Sequence, residues 1–273
     1  YGRRRVGKST VLRNLDGFLP TSVRVAHLSA QSSDLFTSTS SLIAAIARSA
    51  NPQAAAPGDL RGLFQILTAE NQKLTQEGKR LVLALDEYEM LDQKIGEGVF
   101  SKDLLDAMRD SIQSHRAITW ILAGSHRITE LDHALWPSEM VSARLIQVPL
   151  FTAAETRLLL TSPAQYSTLW PKDSPSRPKF DPGFWGVGGI ERIHAETGGW
   201  PHLVQLVAQT CIDLLNTEGQ STLNGTLLDR AFAKSVVRGE AVFYELLRRE
   251  SKLPGEWEYL EGFQQSEEQP PPP

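Results

Sequence analysis

Apolar residues recur along this chain with two different periods, and the alternation between them carries the fold. Val11, Leu12, Leu15 and Phe18 have helical spacing and predict a helix from Ser9 to Leu19, ended by Gly17 and Pro20. Val23 to Leu28 alternates and predicts a strand. A polar, serine-rich stretch follows from Ser29 to Ser41, then a helical pattern from Leu42 to Ser49 that Asn51-Pro52 stops. Asp59 is placed to cap a long helix carrying Leu60, Leu63, Phe64, Leu67 and Leu74, with Gly78 as its stop. Leu81 to Leu85 is continuously apolar, as strands covered on both faces are. Leu104, Leu105, Met108 and Ile112 mark another amphipathic helix. Ile118 to Ala123 predicts a second buried strand, and Leu145 to Leu150 a third, shorter one. Strands that alternate with helices imply βαβ units and a parallel sheet.

The pattern changes after Phe151. Thr152 and Glu155 form a capping box ahead of Leu158, Leu159 and Leu160. Residues 163–186 are rich in Pro, Gly and Trp and predict an irregular connection. From Ile190 onward the pattern is entirely helical, without an internal repeat. The tail from Gln264 has too few apolar residues to pack and is expected to be disordered.

Composition narrows the picture only a little. The 273 residues, 41% of them hydrophobic, are enough for one α/β domain and a smaller one. A net charge of −4 exerts no overall pull on nucleic acid. The single cysteine, Cys211, lies in an apolar run, so no internal disulfide is available and secretion is not suggested. No apolar run approaches the about 20 residues that a membrane helix needs. These features predict a cytoplasmic protein.

Gly2-Arg3-Arg4-Arg5-Val6-Gly7-Lys8-Ser9 fits G-x-x-x-x-G-K-[ST] at every fixed position. Glycines at both ends let such a loop wrap until successive backbone N–H groups point inward at phosphates. The following helix offers its N-terminal N–H groups, with Thr10 in its first turn, to the same charges. Lys8 is expected to reach the β- and γ-phosphates, and Ser9 to supply one ligand to Mg²⁺. Arg3, Arg4 and Arg5 either raise the local positive potential or are simply solvated. The pattern arises by chance in a chain of this length about once in a hundred.

Binding phosphate is not hydrolysing it, which requires a second Mg²⁺ contact and a group that orients water. The run Leu81 to Leu85 ends in Asp86-Glu87. A strand leaving the core delivers both acids at its C-terminal edge, where ligands of open α/β sheets bind. Asp86 is expected to hold the Mg²⁺ shell and Glu87 to act as general base. Glu89 is expected on the surface or behind these groups. After the next strand, Ser125 is the best candidate to sense the γ-phosphate, with Arg127 behind it and His126 as a loop residue. An ordinary strand-to-loop turn explains Ser125 equally well.

Together, Gly2 to Ser9, Leu83-Ala84-Leu85-Asp86-Glu87-Tyr88-Glu89 and Leu122-Ala123-Gly124-Ser125 resemble the AAA+ and STAND branch of P-loop ATPases. Thr197-Gly198-Gly199-Trp200-Pro201, followed by Leu203-Val204-Gln205, is similar to the GGxP signature of bacterial STAND-like and archaeal-ATPase-type proteins. The resemblance implies a five-stranded parallel sheet with the P-loop strand inside it, a helical lid, and then a winged helix. It implies that Pro201 packs near the base and ribose and reports nucleotide state. Ser142-Ala143-Arg144 resembles the place of an arginine finger, although a solvated arginine at a strand edge fits as well. Gly198 and Pro201 also read simply as a corner between two helices.

The expected division is a P-loop ATPase core over 1–151, a helical lid over 152–222, a partial winged-helix-like region over 223–263 and a disordered tail over 264–273. The fold class is α/β, a parallel-sheet P-loop NTPase core followed by an all-helical lid. The strand that should lead into the loop is absent apart from Tyr1, which predicts chain upstream of it. Phe232, Phe243, Leu246, Leu247, Trp257 and Tyr259 suggest the first helices of the winged-helix region. The leading expectation is a slow, Mg²⁺-dependent ATPase switch for signalling or assembly, with ATP and ADP as ligands. Self-association or protein partners are expected through flanking domains. The alternatives are an AAA+ ATPase acting on DNA and a non-catalytic, nucleotide-stabilised scaffold. ATP is preferred over GTP because no Asn-Lys-x-Asp element is present.

Overall fold

The computed structural model describes residues 1–29, 37–134, 136–166, 171 and 174–250. The chain divides into two units, Tyr1–Pro149 and the residues from Leu150 onward. The first unit opens with the short helix α1 (Lys8–Arg13) and a 3-10 turn, Leu15–Phe18. Strand β1 (Val23–Ser29) follows, then helices α2 (Thr39–Ala50) and α3 (Leu60–Gln76). Strand β2 (Arg80–Asp86), helices α4 (Glu89–Gly96) and α5 (Asp103–Ser114), and strand β3 (Ile118–Ala123) complete the sheet. A four-residue helix, α6 (Trp136–Glu139), comes last.

The strands form a parallel sheet in the order β1-β2-β3. Its register places Ser29, Asp86 and Ala123 side by side at the C-terminal edge. On one face, Leu81, Leu83 and Leu85 join the core that Leu42, Ile43, Leu67, Leu91 and Leu104 build. On the other face, Val82 and Ala84 meet Leu12 and Ala123. A strand covered on both sides has no polar face to alternate with, which is why the run reads as continuously apolar. Each of these fully buried leucines contributes about 1.5–3 kcal/mol. Asp59 caps α3 as expected, its carboxylate accepting from Gly62 N at 2.7 Å. Ser38, at the far end of the polar stretch, caps α2.

Three details depart from the sequence reading. The first helix breaks at Asn14 into a 3-10 turn, whose three residues per turn lose the helical register. Leu12 stays buried, while Val11 and Phe18 stand 52% and 69% exposed. The segment 145–150 is not a strand: among the described residues, only Tyr1 pairs with it. Tyr1 N donates to Ile146 O and Val148 N donates to Tyr1 O, both at 2.8 Å. One bridging residue makes no ladder, and Leu145 and Ile146 remain exposed. The sheet of the described residues therefore has three strands rather than five. Helix α4 was not foreseen because it is short and follows the acidic strand end without a turn signal.

The second unit is helical, with α7 (Ala153–Thr161), α8 (Gly189–Thr197), α9 (Pro201–Glu218) and α10 (Gly225–Glu250). The Thr152–Glu155 capping box is formed. The described residues of the 163–186 connection are irregular apart from one short turn, and they also supply core. Pro182–Trp185 is a 3-10 turn, and Trp185 is buried among Phe180, Phe184, Leu160 and Ile193, donating to Leu160 O at 3.2 Å. Cys211 is buried on α9, and burial pushes its thiol up to about 12. Phe232 packs on this core. Phe243, Leu246 and Leu247 lie along α10, and Trp257, Tyr259 and the tail from Gln264 fall outside the described residues. No helix among the described residues is long and apolar enough to cross a membrane.

Candidate functional site

The glycine-rich loop sits at the C-terminal edge of the sheet, and its backbone explains its composition. Gly2 is buried, and a Cβ there would stand 2.9 Å from Val148 O. Gly2 N donates to Gly124 O at 3.3 Å, tying the loop to the end of β3. Arg5 and Gly7 have φ of 60° and 97°, the left-handed turns that let the loop close on itself. Val6 anchors the loop in the core. Lys8 is 6% exposed, and its ammonium donates to Gly2 O at 2.7 Å and Arg3 O at 2.9 Å. Burial lowers its proton affinity, while Glu87, Glu89 and Asp86 pull it back up. The charges of these three acids are thus felt at one buried cation. Ser9 is half-buried and Thr10 exposed in the first turn of α1. Arg3 and Arg5 are exposed and Arg4 is half-buried, with its charge felt at both Lys8 and Glu87.

The acids leave the core on β2. Asp86 is 8% exposed and accepts from Glu87 N at 3.2 Å. Glu87 has φ 56°, a left-handed conformation unusual for a residue with a Cβ. That turn lifts its side chain off the strand and starts α4 two residues later. Burial, then the charges of Glu89 and Asp86, hold its carboxyl above the ordinary carboxylate range, against the pull of Lys8 and Arg4. Asp86 offers a carboxylate at the strand end that could serve as a ligand to Mg²⁺. Such an ion is held by one or two carboxylates plus phosphate and water rather than by a protein cage. The residues present fit that arrangement.

Behind the acids, Glu89 turns back over the end of β3. Its side chain is 13% exposed. Its Oε1 accepts from Ser125 N at 2.9 Å and from Ser125 Oγ at 2.6 Å. Burial opposes its ionisation, yet the Ser125 bonds outweigh that and hold the carboxyl below its ordinary value. Tyr88 donates its hydroxyl to His126 O at 2.7 Å, and burial raises its proton affinity. Arg127 lies over the Tyr1 ring at 5.2 Å. The structure thus brings Lys8, Asp86, Glu87 and Ser125 to one end of the sheet. It also adds two residues that the sequence reading missed or set aside. Glu89 takes the second of the two places expected for it, behind the acids with its side chain 13% exposed, and glycine at 124 leaves it room, since a Cβ there would stand 2.0 Å from Oε2. A glycine immediately after a buried strand is the one signal that pointed there.

Arg144 is exposed in the irregular segment before 145–150, not on a strand edge. Pro201 belongs to the second unit, where it is buried as the first residue of α9. Gly198 and Gly199, with φ of 57° and 70°, form the corner before it. A Cβ on Gly199 would stand 2.1 Å from Phe151 O.

Residues 1–131 match a family model described as AAA domain. No curated protein sequence matches the chain. Among solved structures, the Aeropyrum pernix ORC2 protein in its ADP form superposes with a TM-score of 0.55 at 16% identity, covering 85% of this chain and 61% of that one. The Walker-type ATPase of Pyrococcus abyssi gives 0.55 at 18% identity, covering 92% and 70%. The Aeropyrum pernix ORC1 protein in complex with DNA gives 0.51 at 16% identity, covering 86% and 58%. The chain therefore spans less than two thirds of the length of either ORC protein. At these identities the likeness establishes the fold, which is that of the P-loop NTPases.

Proposed function

We propose that this chain is the nucleotide-handling part of an ATPase switch of the AAA+ and STAND kind, which binds ATP with Mg²⁺ and hydrolyses it slowly. The observation that supports this most is the meeting of Lys8 with Asp86 and Glu87 at the sheet edge, a buried cation facing acids at the end of a buried strand. In this reading the loop N–H groups and Lys8 bind the phosphates, and Ser9 and Asp86 hold Mg²⁺. When bound, Mg²⁺ would neutralise charge on the phosphates. Glu87 accepts the proton of the attacking water, and its raised proton affinity suits a base. Ser125 senses the γ-phosphate, Arg144 serves as a finger for a neighbouring copy, and Pro201 reports nucleotide state to the helical unit. In the same reading, residues 1–151 are the ATPase core, 152–222 the lid and 223–263 a partial winged-helix-like region. Self-association or protein partners would read the switch in a cytoplasmic setting.

The test is nucleotide binding and turnover. Lys8→Ala is expected to abolish both. Glu87→Gln is expected to bind ATP normally and to lose about 10²- to 10⁴-fold in turnover. Unchanged binding and turnover in Lys8→Ala would refute the reading. A second reading, an ATPase acting on DNA, draws on the fold likeness to ORC1, whose structure is described with DNA. It requires DNA binding that weakens steeply with salt. The net charge of −4 disfavours it.

A further inference from the structure

We infer that Glu89 is a positioning residue that holds the Ser125 hydroxyl in a resting hydrogen bond and yields it to the terminal phosphate of a bound nucleoside triphosphate. The inference rests on the nucleotide reading above. Ser125 has one hydroxyl proton; its Oγ lies 2.6 Å from Glu89 Oε1, which can only accept, and 3.2 Å from His126 Nδ1, so the shorter bond to the carboxylate takes that proton. This is the short, charge-assisted kind of hydrogen bond. A proton committed to Glu89 is withheld from a phosphate oxygen.

The surroundings decide which partner moves. Glu89 Oε2 is buried and accepts no hydrogen bond among the described residues. It is pressed against Gly124, where a Cβ would stand 2.0 Å away, and the Tyr88 ring closes the same space. The carboxylate has no room to swing. The Ser125 hydroxyl does, because it turns about a single bond. When it turns, Ser125 N still donates to Oε1 at 2.9 Å, so the carboxylate keeps a donor. The neighbouring Gly124 O receives Gly2 N, which sets this turn against the first glycine of the loop. The exchange thus lies where the phosphate loop meets the acidic strand end.

A triphosphate must compete with Glu89 for the hydroxyl, whereas a diphosphate, lacking the terminal group, has nothing to compete for. The resting bond therefore reduces affinity for the triphosphate alone. Weakening the bond should tighten triphosphate binding without touching the diphosphate.

The experiment measures dissociation constants for ADP and a non-hydrolysable ATP analogue, with Mg²⁺, in the wild type, Glu89→Gln, Ser125→Ala and the double variant. A neutral amide accepts more weakly than a carboxylate, so Glu89→Gln should bind the ATP analogue about fivefold more tightly, with ADP unchanged. Ser125→Ala should lose affinity for the analogue only, and adding Glu89→Gln to it should change nothing further. If Glu89→Gln does not fold, Glu89→Asp, whose shorter stem falls short of Ser125, should show the same selective tightening. Equal shifts for both nucleotides, or an undiminished Glu89→Gln effect in the Ser125→Ala background, would overturn the inference. So would a Glu89→Gln protein that binds both nucleotides as the wild type does, and that outcome leaves the nucleotide reading standing. Wild-type protein that binds neither nucleotide would sink that reading and this inference with it.

Discussion

Glu87 should be one of the few positions in this protein where glycine is more stabilising than alanine. Its φ of 56° lies in the left-handed region. A residue with a Cβ pays about 1–2 kcal/mol to stay there, and glycine pays almost nothing. Glycine loses about 0.4–1 kcal/mol through the greater freedom of its unfolded chain. Subtracting the two leaves Glu87→Gly more stable than Glu87→Ala by about 0.5–1 kcal/mol. Both variants lose the same half-buried carboxyl beside Asp86, Glu89 and Lys8, so that contribution cancels between them. In a helix interior the order would be reversed. Hydrogen exchange of the β2 amides reports the unfolding of this unit directly, and denaturant melts provide a second measure. Neither variant should hydrolyse ATP, so activity does not complicate the comparison. Alanine equal to glycine, or more stable, would show that the strain at the end of β2 is not real.

Two further outcomes follow from buried polar groups in the same unit. Asp92 is 4% exposed and accepts from Trp136 Nε1 at 2.8 Å and from Asp132 N and His133 N at 3.2 Å. Asp92→Ala strands these donors and should cost about 3 kcal/mol in chemical denaturation, and a loss below about 1 kcal/mol would contradict the role assigned to it. His115 is buried between Ser111 and Thr68, each 3.0 Å from a ring nitrogen, and burial lowers its proton affinity below the ordinary 6.5. Its folded pKa is the lower one, so the unfolded chain takes up the proton first. The stability it contributes is complete above pH 6.5 and is lost as pH falls toward the folded value. Melting temperatures between pH 7.5 and 5 should fall less steeply in His115→Gln, and parallel curves would count against this linkage.

Much of the site was legible because it obeys local rules. The glycines and Lys8 mark themselves, since a loop that wraps phosphate needs those residue types at that spacing. Asp86 and Glu87 were readable because a short apolar run that ends in acids, found beyond a phosphate loop, reads as a buried strand reaching its edge. Glu89 was left between the surface and a place behind the acids because nothing in Tyr88-Glu89-Met90 shows that its carboxylate folds back across β3. Its partner lies 36 positions away, at Ser125. Leu145 to Leu150 misled for the complementary reason. Its apolar pattern suits a strand, but a strand needs neighbours, and among the described residues only Tyr1 pairs with it.

By itself, the sequence determined the alternation of strands and helices, the phosphate loop and the acidic strand end. Each of these depends on residues close together in the chain and on the burial of their apolar faces. The tertiary structure decided the rest. Parallel pairing brought Ser29, Asp86 and Ala123 to one edge. Only then did Gly124 come under Glu89, and Ser125 into reach of its carboxylate. Such contacts are set by how strands of different sequence separation are packed, which no local pattern records.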